Sequence, residues 1–178
     1  MPARISRASG QPAPRARAAE AAFGPRPMPQ FTTTHRVRHS ATDMFDLVAH
    51  VEAYPKFLPL CESLVVHSRR KDGDREILVA TMTIAYKFIR ESFTTKVLLD
   101  RQALSIQAEY LDGPFSYLEN VWRFEPHGRG DCIVNFTIDY EFRSATLGLL
   151  MGAVFDRAFR KFTDAFETRA DVVYGTAA

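Results

Sequence analysis

The residue types that most often ligate metals or attack electrophiles are sparse in this chain: His35, His39, His50, His67 and His127, with Cys61 and Cys132. A closed metal site needs about four convergent ligands. His35 and His39 face the same way on an extended segment, but no cysteine or carboxylate cluster joins them in the sequence. Two cysteines make neither a disulfide framework nor a metal spacing. They are expected to be small buried hydrophobes in a reducing compartment. The sequence contains no nucleophile elbow, P-loop or GxGxxG, and Gly128-Arg-Gly130 reads as a hairpin turn. No acid–base pair stands out for cyclase or dehydrase chemistry. The expectation is a chain with no catalytic residue, no metal and no cofactor.

A different chemistry is suggested by VEAYPKFLPLCESL, residues 51–64. Pro55 and Pro59 bracket Tyr54, Phe57, Leu58 and Leu60, and each proline pushes the residue before it out of the helical region. A loop this apolar is buried, touches a partner, or borders a ligand site.

Positioning such a loop requires a core. With 178 residues, 46% hydrophobic and 25% charged, the chain suffices for one domain with one sizeable core. Fourteen phenylalanines fit either a packed interior or a large apolar cavity. No apolar run approaches the roughly 18–20 residues needed to cross a bilayer. Residues 1–29 hold five arginines against Glu20, a local charge of +4, which leaves residues 30–178 at −2 of the total +2. A slightly acidic folded part is a poor general nucleic-acid binder, and no DNA partner is expected. The first 29 residues are rich in Ala, Pro and Arg and lack periodicity, so they are expected to be a disordered tail ahead of a domain spanning 30–174. They lack the apolar region of a secretory signal. Their composition fits a transit peptide, an idle tail, or a start misplaced ahead of Met28.

Periodicity supplies the elements. A strand is expected from Phe31 to His39. Ser40-Ala-Thr-Asp43 then matches a capping signature ahead of a short helix with Met44, Phe45, Leu47, Val48 and Val51 on one side. After Glu62 the alternation has period two, as in LSIQAEY (104–110) and CIVNFTIDYEF (132–142), and turn residues cluster at 71–74, 112–114 and 127–130. This predicts about seven antiparallel strands with one face buried. From Ala145 to about Val172, apolar residues recur at three- and four-residue steps, a helix of about 28 residues with Ser144 as N-cap. On spacing alone its phenylalanines are either core or ligand wall. Gly148 and Gly152 either let the sheet or the proline-rich loop approach the helix closely, or form a mobile, lipid-facing lip.

Three pieces in order, YPKFLPLCESL, LDGPFSYLENVWRFEP and FDRAFRKFTDAFETRA, resemble the coenzyme Q-binding family of the START-like polyketide cyclase/dehydrase superfamily, which is close to bacterial ribosome-association toxins. The resemblance covers residues 28–173. It implies an α+β helix-grip fold, with a seven-stranded curved antiparallel sheet wrapped around the long C-terminal helix and an apolar tunnel between them. It implies a non-enzymatic carrier of a polyprenylated quinone (ubiquinone as bound ligand) that supports respiration. Such a carrier would be cytoplasmic, or on the mitochondrial matrix side in a eukaryote, with transient contact at the inner-membrane surface. By position, Tyr54, Pro55, Phe57, Leu58 and Pro59 would form the tunnel mouth. Phe115, Leu118, Trp122, Phe155, Phe159 and Phe162 would form its walls. The alternative partner is the ribosomal large subunit, against which the −2 charge argues; a cyclase or dehydrase is the third reading.

Overall fold

The structure, a computed structural model, describes residues 30–176. The expected tail, 1–29, lies outside them. The elements are β1 (Gln30–Val37), α1 (Ala41–Ala49), a 3-10 turn (Val51–Lys56), β2 (Cys61–Asp72), β3 (Arg75–Tyr86), β4 (Ile89–Asp100), β5 (Ser105–Asp112), β6 (Phe115–His127), β7 (Asp131–Phe142) and α2 (Ala145–Tyr174). The strands form one antiparallel sheet in the order β1-β7-β6-β5-β4-β3-β2. Strands β2 to β7 are a plain meander, and β1 closes on the free edge of β7.

Alternation decides which face is buried. On β7, Cys132, Val134, Phe136, Ile138 and Tyr140 are all buried, while the residues between them are half-exposed. Register shifts at Cys61/Ser63, Val66/Ser68, Thr94/Thr95 and Phe115/Tyr117 insert extra residues that bend the strands and raise their twist. The bent sheet presents a concave apolar face, and α2 lies across it with Met151, Phe155, Ala158, Phe159, Phe166 and Ala170 buried. This is the helix-grip arrangement.

Both expected caps form. The Asp43 amide donates to the Ser40 hydroxyl oxygen at 3.1 Å, and the Leu147 amide donates to that of Ser144 at 3.3 Å. Two expectations shift. The first strand ends at Val37, because His39 turns inward, is buried, and bonds through Nε2 to the Asp171 carboxylate at 2.8 Å. Leu104 stands outside β5, in a turn with φ +46.

Gly113 in the β5–β6 turn has φ +133, and a Cβ placed there would lie 2.7 Å from Phe93 Cβ and 2.8 Å from the Phe93 Cα. Only glycine fits, both sterically and conformationally. Gly152 differs: it is inside a helix, and its Cβ direction is open. Gly113→Ala is therefore expected to lower unfolding free energy by about 2 kcal/mol or more. Gly152→Ala should raise it by about 0.5–1 kcal/mol, through helix propensity. Urea midpoints of the two variants check both signs.

Candidate functional site

The curvature of the sheet exceeds what the α2 side chains can fill. Between them remains a cavity of about 110 Å³. Its wall comes from the concave faces of β2 to β7, from one side of α2, and from the 3-10 turn and the segment after it. Of the residues expected at the site, Tyr54, Leu58, Pro59, Leu118, Trp122, Phe155, Phe159 and Phe162 line this cavity. Pro55, Phe57 and Phe115 do not. Pro55 is on the exposed outside of the 3-10 turn. Phe57 is half-buried on the outer side, with its ring 5.2 Å from Phe166 and the Arg169 guanidinium 5.7 Å from its centroid. Phe115 is fully buried beyond the cavity's end, stacked on Phe142 at 4.7 Å and edge-on to Phe93 and Phe155.

The proline-rich stretch is a compact turn rather than an open lid. Tyr54 holds it: its hydroxyl donates to the Val48 carbonyl at 2.6 Å, and its ring meets Phe57 and Phe166 edge-to-face at 6.0 and 5.3 Å. Burial, reinforced by Cys61 and Glu52, raises the pKa of the phenol well above the ordinary tyrosine value, so the donor keeps its proton. The amides of Phe57 and Leu58 both bond to the Tyr54 carbonyl, and the Leu60 carbonyl accepts from Ala85 of β3 at 3.0 Å. Leu58 is consequently 6% exposed. It faces inward and lines the cavity.

The GxxxG pair is not there to allow close approach of the sheet or the proline-rich loop. A Cβ at Gly148 would make ordinary contact with Phe142 at 3.8 Å, and one at Gly152 would touch nothing. Leu149 beside them is 86% exposed. Topology places this first part of α2 at the same end of the sheet as the β3–β4 turn, where Phe88 is 84% exposed.

Sequence reasoning missed several wall residues, among them Phe93, Thr95, Asn120, Phe136 and Phe166. Phe166 was on the helical stripe, and Asn120 shares the inward parity of Leu118 and Trp122, so both carried a readable signal. The histidine partners carried none. His35 and His39 bond to Glu167 and Asp171 on the last turns of α2, residues 132 positions away. They clamp the helix end to β1 and to the segment that follows it. Among the described residues no group of three or more His, Cys, Asp or Glu stands where it could hold a metal. Burial raises the Cys61 pKa to about 11 and, with Asp131 and Asp43 nearby, that of Cys132 to about 12. Both are thiols at neutral pH and poor nucleophiles. No helix among the described residues is long and apolar enough to cross a membrane.

Known proteins share this architecture. A family described as "Polyketide cyclase / dehydrase and lipid transport" matches residues 37–167. The Ribosome association toxin RatA of Escherichia coli K12 is 34% identical over 147 residues, covering 83% of this chain and 90% of the toxin. The mitochondrial Coenzyme Q-binding protein COQ10 homolog B of Xenopus laevis is 31% identical over 140 residues, 76% of this chain and 55% of that protein. The solution structure of an 18 kDa protein, CC1736 of Caulobacter crescentus, superposes with a TM-score of 0.70 at 36% identity, covering 84% of this chain and all of that one.

The inward placement of Leu58 predicts a loss of stability. Leu58→Asp should lower the unfolding free energy about as much as Phe159→Asp, each by roughly 3 kcal/mol or more, because both bury an unpaired carboxylate. Denaturant titration of the two variants measures this, and a wild-type midpoint for Leu58→Asp would put that side chain in water.

Proposed function

The chain belongs to the polyketide cyclase / dehydrase and lipid transport family, and from that premise we propose that it associates with ribosomes, as a non-enzymatic protein of the toxin kind built around an apolar ligand cavity. One observation carries the reading. The similarity to the ribosome association toxins runs along 90–99% of their length in the enterobacterial and Vibrio proteins, at 33–34% identity. The charge of −2 over residues 30–178 argued against contact with ribosomal RNA. Local charge is what phosphates meet, however. Arg157, Arg160 and Lys161 are consecutive cations on the exposed side of α2, and none is in an ion pair among the described residues.

A second reading, a carrier for a polyprenylated quinone, has the cavity in its favour together with the coenzyme Q-binding relative. Each buried CH₂ of an isoprenoid tail contributes about 0.8 kcal/mol, so affinity needs no special chemistry. Engineered apolar cavities of about 150 Å³ take up a molecule the size of benzene. A cavity of about 110 Å³ must therefore open to admit a ring with a long tail. The first turns of α2 expose Leu149 and Leu150, and with Phe88 they would meet a membrane surface.

Sedimentation with purified ribosomal subunits separates the readings. Stoichiometric pelleting at physiological salt that weakens steeply as salt rises supports ribosome association. Absence of pelleting, with about one polyprenylated quinone per chain found by mass spectrometry of an organic extract, would replace it by the carrier.

A further inference from the structure

The apolar cavity contains polar groups without partners. Thr95 of β4 is 9% exposed and Asn120 of β6 is half-buried; both line the cavity, and neither side chain has a hydrogen-bond partner among the described residues. Nearby hydroxyls are satisfied in pairs, Thr81 with Thr94 at 2.7 Å and Thr83 with Ser92 at 2.8 Å. The Tyr110 hydroxyl of β5, also on the concave side, is buried and unpartnered. Register brings the three together. Thr95 is directly opposite Tyr110, and Asn120 is opposite Ala108, two residues along from Tyr110 on the same face. Ala108, the smallest side chain in that row, leaves the space above it open.

Unpaired polar groups in an apolar interior cost stability unless something bonds to them. Among the described residues the cavity wall carries no charged side chain. An ionised headgroup entering it would lose its hydration and find no counter-ion. A carbonyl or hydroxyl would instead meet the Asn120 amide and the Thr95 hydroxyl, which supply both donors and acceptors. We propose that Thr95 and Asn120, with Tyr110 behind them, form a headgroup subsite that selects a neutral, carbonyl- or hydroxyl-bearing apolar molecule and rejects free fatty acids. The proposal rests on the cavity being a ligand site. It adds which residues recognise the ligand and which class of head they accept; a quinone ring belongs to that class.

The test uses the full-length protein and three seven-carbon probes, 2-heptanone, heptanoate and heptane, at neutral pH. Trp122, the only tryptophan of the chain, lines the cavity, so its fluorescence reports occupancy, with calorimetry as a second readout. Wild-type protein should bind 2-heptanone at least about tenfold more tightly than heptanoate. Asn120→Leu and the isosteric Thr95→Val should each weaken 2-heptanone by about fivefold, the loss expected of one hydrogen bond, and leave heptane unchanged. Thr95→Val carries the test alone if Asn120→Leu does not fold. Equal affinity for heptanoate, or undiminished ketone binding in a folded variant that still takes heptane, would overturn the subsite and leave the cavity reading standing. No binding of any probe to wild-type protein would overturn both.

Discussion

Phe166 is the contact on which the architecture turns. Its ring is 1% exposed and meets Tyr54, Phe57 and Trp122 edge-to-face at 5.2–5.3 Å. These residues come from the 3-10 turn, the segment after it and the middle of the sheet, so one side chain ties three elements to α2. A second aromatic cluster, Phe115 with Phe142 and Phe155, holds the helix some three turns earlier, where Asp156 also accepts a hydrogen bond from the buried Tyr140 hydroxyl at 3.2 Å. A straight helix over a curved sheet can touch it closely at such points but not everywhere between them. The cavity is the span left over, and Phe159 and Phe162 face it because they sit between the two anchors.

The same geometry sets what the cavity can do. Its walls are aromatic and aliphatic, and its polar groups are neutral at ordinary pH. The buried Tyr54 phenol and the Cys61 and Cys132 thiols are all held in their protonated forms by desolvation. General acid–base catalysis needs a group whose pKa lies near the working pH and within reach of the reacting atom. Burial here moves each of these groups away from that range.

What the sequence revealed followed local rules, and what it hid depended on distant pairing. Ser40 and Ser144 act within three residues of their partners, so both caps were legible. Alternation on β7 and the phenylalanine stripe of α2 were legible because period and burial are linked by backbone geometry. The count of about seven strands came with them, while the grip of sheet on helix was implied by the family resemblance. The burial of Leu58 was hidden because a proline-bounded loop says nothing of what lies above it, and the bond that ties this loop to the sheet, from the Ala85 amide to the Leu60 carbonyl, joins residues far apart in sequence. Phe115 was placed on the wall by the resemblance; its parity is opposite to that of Leu118 and Trp122, and the register shift beside it is what turns it inward, into the closing cluster. His35 and His39 were read as unpartnered because their carboxylates stand on a helix more than 130 residues later. Asn120 was open to notice, a polar residue on an inward parity, but its meaning depends on the neighbours that leave it unpaired.

The two proposed readings meet on one helix. Phe155, Phe159 and Phe162 turn the inner side of α2 to the cavity, while Arg157, Arg160 and Lys161 stand on its outer side within the same two turns. One way for this fold to admit a ligand too large for the closed cavity is to displace this segment. Displacement would change how the three cations are presented, and with it any contact they make with phosphates. Linkage then requires the effect to be mutual: a partner that favours one position of the helix must favour or oppose the ligand by the same factor. A tail-bearing ligand and a ribosomal surface would therefore not be independent on this fold. They would compete for, or jointly stabilise, one position of α2, according to whether the outer face binds best with the cavity filled or closed.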